Sequence, residues 1–346
     1  MIRFIAKAVL VAGLVILTAS GVSSYNRVHV DAFGVSLCAA IESEGTLTRE
    51  QQPVITRIQV SERIWMFSGR GGNIGVIITD DGVVVIDTQY ENVAPALVEQ
   101  IGNLTDQPIR YIINTHLHGD HVGGNAYMQQ YGSVIAHQNT YDRMLSRWEG
   151  EGFPGKGDGL PQLTFRDSFT LNIGGLEIQL FHLGPGHTDT DVVVWIPDEN
   201  VVHVGDLLFN RITPYIDVNN GSHTGNWISV INRVIQVINP DTRVIPGHGD
   251  LSDVDGFRTM ARYLQAVRQI VQTCHSEGKT KEEILSKTLA DLGEQFADWS
   301  GNRLSLALSA AYDEIVGTGS KLHASLHMIS TSREPDGMAL AIYKQE

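Results

Sequence analysis

Arg110-Tyr111-Ile112-Ile113-Asn114-Thr115-His116-Leu117-His118-Gly119-Asp120-His121-Val122-Gly123-Gly124 is the most informative stretch of the chain. Its first five residues read as a buried strand, so the polar residues that follow emerge at that strand's carboxyl end. His116 and His118 are two apart, which in an extended segment points both imidazoles the same way. Asp120 and His121 come where the chain must turn, and Gly123-Gly124 supplies the freedom to do so. Four nitrogen or oxygen donors within six residues are ligand chemistry suited to zinc. A polar loop that merely happens to be histidine-rich would leave the spacing, the preceding strand and the glycines unexplained together.

Working outward, three more potential ligands stand at strand ends. His187 sits in Gly184-Pro185-Gly186-His187-Thr188 after an expected strand Leu176–Leu183, and Asp206 in Val204-Gly205-Asp206. His248 sits in Pro246-Gly247-His248-Gly249 after Arg243–Ile245. Each alone is weak, but with the first cluster they make seven donors, enough for two zinc ions sharing one carboxylate. His203 reads as a strand residue near the site rather than a ligand, and His223, in the Gly221–Gly225 loop, as a candidate for substrate contact.

The surrounding pattern is β-rich. Strands are expected at Ile64–Phe67, Ile74–Thr79, Val83–Asp87, Asp191–Ile196 and Val201–Val204, with turns at Asp80-Asp81-Gly82 and Pro197–Asn200. Helical spacing marks Ala94–Leu104 and Trp227–Ile238. The hairpin Val76–Asp87 resembles the hairpin Val192–Asp206: two apolar strands, an acidic turn and a terminal aspartate. The likeness suggests two related halves, each a sheet with helices on one face, with chance similarity between two Val-rich hairpins as the alternative. Beyond His248 the composition turns helical. Gly256–Gly278 and Arg303–Val316 have helical spacing, and Thr280 with Glu283 forms a capping-box start for a helix through Leu289. Residues 251–318 thus read as an appendage, and 319–346 as a strand pair or a tail.

Composition narrows the function classes. The 346 residues carry 39 acidic and 25 basic side chains, a net charge of −14, with no basic run to offset it. A nucleic-acid backbone would be repelled over most of that surface. Two cysteines, Cys38 and Cys274, cannot build a disulfide framework or a four-cysteine zinc site. The first residues read as an address. Arg3 and Lys7 precede an uncharged apolar run from Ala8 to Ala19, then small residues Ser20 to Ser24. That is the build of a signal peptide over residues 1–24, shorter than the roughly 20 apolar residues of a spanning helix. An uncleaved anchor is the alternative. The expectation is an exported, periplasmic or secreted protein, with an N-terminal segment at 25–53.

His-x-His-x-Asp-His with downstream Gly-His-Thr, Gly-Asp and Pro-Gly-His-Gly resembles the metallo-β-lactamase superfamily of binuclear zinc hydrolases. The likeness covers about residues 54–250. It implies an α/β fold, a four-layer αβ/βα sandwich with the metals at one edge, here followed by the C-terminal helical appendage and tail of 251–346. It also implies two Zn2+ per chain: His116, His118 and His187 on the first, Asp120, His121 and His248 on the second, Asp206 bridging. Asp87 matches the family's aspartate at the end of an early strand, a supporting position rather than a ligand. Catalysis would use a metal-activated hydroxide, with Asp120 orienting it and passing its proton to the leaving group. Gly-x-Ser-x-Gly is absent, which disfavours a serine hydrolase.

The run Gly186–Pro197 is similar to the corresponding run of the Cys-containing β-lactamase subclass, and export would place the enzyme where β-lactams act. Two departures stand against that. Asp206 replaces the subclass's cysteine, and Phe209 replaces the lysine that grips the antibiotic's carboxylate, leaving Arg211 as the candidate substitute. The expected function is therefore opening of a cyclic amide, with lactone or thioester hydrolysis of the glyoxalase-II kind as the alternative. A mononuclear iron sulfur dioxygenase would not need all seven donors. A flavodiiron reductase would need carboxylates within the first cluster, and a non-enzymatic scaffold would be expected to have lost ligands. A small molecule is the expected partner, not nucleic acid, nor a membrane once the leader is removed; oligomeric state has no signature in the sequence.

Overall fold

The computed structural model describes residues 54–148 and 158–317. The expected leader, the 25–53 segment and the tail 319–346 lie outside the described residues.

Two mixed sheets carry the fold. Strands β1 (Thr56–Gln59), β2 (Ile64–Ser68), β3 (Ile74–Thr79), β4 (Gly82–Ile86), β5 (Ile109–Ile113), β6 (Ser133–His137) and β7 (Leu163–Phe165) form the first sheet in sequence order. Strands β8 (Ser168–Ile173), β9 (Leu176–Phe181), β10 (Val193–Ile196), β11 (Val201–His203), β12 (Arg243–Ile245) and β13 (Ser252–Asp253) form the second, also neighbour by neighbour. Period-two alternation assigns the faces. Val84 and Ile86 of β4 meet Val194 and Ile196 of β10 in the core between the sheets. Val83 and Val85 turn outward onto helix α1 (Ala94–Gly102), which buries Ala94, Leu97 and Ile101. On the far side, Val193 and Trp195 turn outward onto the remaining long helices but one.

Those helices are α2 (Gln138–Trp148), α3 (Thr224–Val237), α4 (Val254–Ser276) and α5 (Leu304–Val316); α2 instead follows β6 in the first half. Helix α4 starts at Asp253, whose carboxylate accepts from Gly256 N–H at 2.8 Å, and buries Phe257, Leu264, Val267, Val271 and Cys274 along one stripe. Layers therefore run helix, sheet, sheet, helix, with the C-terminal helices thickening the second outer layer. The second sheet takes its last strand, β13, from beyond residue 250, so the appendage is continuous with the sheet it covers.

The hairpin likeness has a structural counterpart. β3–β4 and β10–β11 are antiparallel pairs, and β4 and β11 each pair in parallel with the next strand, β5 and β12, after a helical crossover. Three expectations change. The helix from Thr280 through Leu289 is two turns, Lys281–Leu285 and Leu289–Leu292. The Asp291 carboxylate accepts from Thr288 N–H at 2.7 Å and restarts the chain there. The strand expected at Asp191–Ile196 begins at Val193, because Thr188 N–H and Oγ–H donate to the Asp191 carboxylate and hold it in a turn. Finally, β1, β6 to β8, β13 and helix α2 were not anticipated; β1 is exposed at every residue along the sheet edge, where no buried face imposes alternation.

Candidate metal centre

All seven expected donors converge just beyond the carboxyl ends of β5, β9, β11 and β12. β5 leads into His116 and His118, and a single helical turn, Gly119–Val122, carries Asp120 and His121. The loop after β9 brings His187, the turn after β11 brings Asp206, and the turn after β12 brings His248. They fall into two sets, His116, His118, His187 and Asp206, and Asp120, His121 and His248, within which the donor atoms lie within 4.8 Å of one another.

In the first set His118 Nδ1 lies 3.0 Å from His116 Nε2 and 2.9 Å from His187 Nε2. Nitrogens sharing a tetrahedral zinc at ~2.0–2.1 Å would be about 3.3 Å apart, so the spacing fits one ion. Each ring is held by its other nitrogen. His118 Nε2–H donates to Asp217 Oδ2 at 2.8 Å and His187 Nδ1–H to the Tyr215 carbonyl at 2.9 Å. His116 Nδ1 faces Thr115 Oγ1 at 3.1 Å, and that hydroxyl donates to Asp87 at 2.6 Å. With protons fixed on the outer nitrogens, three lone pairs point at one locus. Burial holds His187 down at about 3 and His116 well below its ordinary value, the latter helped by the His121 imidazole.

The second set is anchored from the first sheet. His121 Nδ1–H donates to Asp87 Oδ2 at 2.7 Å, while its Nε2 has no hydrogen-bond partner although buried. Asp206 Oδ1 is likewise buried and unpartnered. Two such atoms 3.1 Å apart are costly in an interior unless a proton or a cation between them satisfies both, and a divalent cation would do so. Burial lowers His121 and His248, but the carboxylates outweigh it, above all Asp206. They hold His121 well above its ordinary value and raise His248 to about 9. Conversely, burial pushes Asp206 up, yet His248, His121, His116 and His187 hold it well below the usual carboxylate range.

Asp206 faces both sets. Its Oδ2 lies 3.3 Å from His187 Nε2 and 3.7 Å from His116 Nε2, its Oδ1 3.1 Å from His121 Nε2 and 3.4 Å from His248 Nε2. Asp120 Oδ2 approaches His248 Nε2 at 3.3 Å. Burial raises the Asp120 carboxyl, but the hydrogen bond from His248 prevails and keeps it below its ordinary value. Two glycines make room for this packing. A Cβ on Gly72 would run into the His121 ring, and one on Gly247 into Asp206 Oδ1. The two loops are stitched together by Asn73, whose amide donates to the carbonyls of Pro246 at 3.0 Å and Gly249 at 2.8 Å.

The two candidate substrate residues are engaged elsewhere. Arg211 pairs with Asp298 at the surface. His223 caps α3, its Nδ1 accepting from Asn226 N–H at 3.2 Å. Phe209, in the position of the missing lysine, is buried and stacks on His248 with ring centres 4.9 Å apart. His203 donates to the Asn73 carbonyl at 3.3 Å, behind the donors. Asp217 and the Tyr215 carbonyl were not anticipated. An aspartate in a turn-forming stretch carries no mark that it will meet a histidine 99 residues away. Tyr215 also stands exposed beside His118, 5.8 Å between ring centres, with exposed Val218 in the same loop.

Comparison with known proteins bears on this geometry. A family model described as the metallo-β-lactamase superfamily matches residues 68–248, more than half of the chain. A type 2 metallo-β-lactamase of Bacteroides fragilis is 27% identical over 237 residues, covering 67% of this chain and 89% of its own. That of Bacillus cereus is 25% identical over 232 residues, covering 63% and 88%. Among solved structures, a metallo-β-lactamase from Pontibacter korlensis superposes with a TM-score of 0.54 at 23% identity, covering 61% of this chain and 99% of its own. A stereoselective inverting sec-alkylsulfatase from Pseudomonas sp. reaches 0.59 at 18% identity, covering 79% and 52%.

Proposed function

Because the chain belongs to the metallo-β-lactamase superfamily and is a metal-dependent hydrolase of small molecules, we propose that it is an exported, two-zinc enzyme that opens the cyclic amide of β-lactams. The observation that carries the two-metal reading is Asp206, whose two oxygens face two separate donor sets. His116, His118 and His187 would hold one ion, Asp120, His121 and His248 the other. Zinc in such sites supplies a water-derived nucleophile near neutral pH and polarises a carbonyl oxygen.

The chain's own residues do the rest. Asp120, kept ionised by His248, accepts a proton from the attacking water and returns it to the departing nitrogen. Tyr215 and Val218 offer an apolar wall for the substrate body. Support for β-lactams comes from relatives of that name and from the run Gly186–Pro197. Export is supported by the leader-like first residues; among the described residues no helix is long and apolar enough to cross a membrane.

Grip on a substrate carboxylate is weak in this reading, since Phe209 is buried and Arg211 is paired with Asp298. One lost charge-assisted contact costs about 1.5–3 kcal/mol, roughly one to two orders of magnitude in affinity. A high KM with modest turnover is the expected outcome. The test is a panel of penicillins, cephalosporins and carbapenems against lactones and thioesters, using purified zinc-loaded protein. Zinc-dependent β-lactam opening supports the proposal. Lactones or thioesters cleaved orders of magnitude faster would replace it with the second reading, which Asp206 in place of cysteine favours.

A further inference from the structure

We propose that the C-terminal helical region is a working part of the first donor set: it grips, at both ends, the loop that orients His118 and His187. The inference rests on the two-metal reading above.

The loop in question runs from Arg211 to Ser222. At its start, Ser300 N–H donates to the Arg211 carbonyl at 3.0 Å, and Thr213 N–H donates to the Ser300 carbonyl at 2.9 Å. Arg303 N–H then donates to Thr213 Oγ1 at 3.1 Å. A Cβ on Gly301 would come within 2.5 Å of that same hydroxyl oxygen, so the two segments touch without slack. At the far end, Glu314 of α5 accepts from Thr224 N–H at 2.7 Å and Thr224 Oγ–H at 2.6 Å. The same carboxylate pairs with Arg268 of α4. It therefore fills the first backbone donors of α3, beside the His223 ring that caps Asn226 N–H.

Between these two grips lie the groups that set the imidazoles. The Tyr215 carbonyl takes the His187 Nδ1 proton and Asp217 takes the His118 Nε2 proton. Asp217 is fixed within the loop by Asn220 N–H at 3.2 Å, and its carbonyl accepts from Ser222 N–H at 3.0 Å. Two residues beyond Ser222 stands Thr224, which Glu314 holds. The chain of contact from α5 to His118 is thus Glu314, Thr224, the Ser222 end of the loop, Asp217. In the second set, His121 is oriented differently, by Asp87 and by the backbone of Thr88, whose N–H donates to the His121 carbonyl at 2.8 Å. Glu314 is therefore a positioning residue for one donor set and not for the other.

The experiment is a zinc titration of the full chain, labelled with nitrogen-15 in its histidine rings and run against a competing chelator. Ring signals of His118 and His187 report the first set, those of His121 and His248 the second. Glu314→Ala is expected to weaken the first set about tenfold, the lower end of what outer partners of metal ligands cost, and to leave the second within about twofold of wild type. Glu314→Gln keeps an oxygen for Thr224 and should recover part of the loss. Val271→Ala opens the buried face of α4 and serves as the control for destabilisation alone. If Glu314→Ala fails to fold, Thr213→Val removes one contact at the other grip and is read in the same way. Unchanged first-set affinity in these variants, or an equal loss in Val271→Ala, overturns the inference while the two-metal reading stands. A wild-type chain whose two sets do not both take zinc overturns that reading, and the inference with it.

Discussion

The two donor sets are built from the same residue types a few ångströms apart, yet their imidazoles are prepared in opposite ways. In the first set, burial and mutual repulsion keep His116 and His187 unprotonated, so their lone pairs are free before any cation arrives. In the second, Asp87, Asp120 and Asp206 surround His121 and His248 and hold protons on them, His248 up to about 9. Where carboxylates outnumber imidazoles, protons stand in for the missing positive charge; where imidazoles dominate, His116 and His187 hold no proton to be displaced. The difference is one of local charge count rather than of ligand identity.

The shared residue gives the strongest test of that contrast. Asp206→Ala removes both faces of the bridge and should cut zinc-dependent activity more than ~100-fold, beyond the cost of losing an outer partner, with zinc content dropping below two per chain. Full content and activity in that variant would end the bridging assignment. Next comes pH. Below about 9, zinc entering the second set must expel the His248 proton, so its affinity should fall about tenfold per pH unit for each proton displaced. From pH 8 to 6 that is roughly a hundredfold per proton. His187, at about 3, adds no such slope to the first set. Calorimetric titrations in buffers of different ionisation enthalpy read the protons released; equal slopes for both sets would erase the distinction.

Smaller effects should sharpen it. Gly72→Ala drives a methyl into the His121 ring and should weaken only the second set, whereas Asp217→Ala frees His118 and should weaken only the first. Each is expected to cost ~10–100-fold in zinc affinity. A variant that lowers both sets alike would show that they move as one. Least of all, Arg143→Ala removes the ion pair to Asp189 and the bond to Asn220 at 3.2 Å behind Asp217. About 1 kcal/mol, or roughly fivefold, is the expected loss in first-set affinity and in unfolding stability by denaturant titration.

The convergence of seven candidate donors was legible because metal-ligand chemistry of this kind draws on histidine and aspartate, and strand ends restrict where they emerge. The Val-rich hairpins were legible for an equally local reason, since a strand buried on both faces must be apolar throughout. What escaped was whatever depends on partners far along the chain. Asp217 looks like any turn aspartate until the fold sets it against His118. Glu314 looks like a solvated helix residue until α3 begins beside it. The Tyr215 carbonyl has no side-chain identity to read at all. Strand β1, exposed along its length, lacks the alternation that would mark it. The helix break at Thr288 depended on one side chain competing with the backbone, a margin too small for spacing to reveal.

Both donor sets straddle the join between the two halves of the molecule. The stretch before residue 149 supplies His116, His118, Asp120 and His121; the stretch after 157 supplies His187, Asp206 and His248. Each ion would thus be a rivet through two plates, and Asn73 a stitch beside it. A chain cut between residues 148 and 158 should remain joined while zinc is present and part more readily when a chelator removes it. Loss of metal in such a molecule is then a mechanical event as well as a chemical one, loosening the join on which every catalytic distance depends.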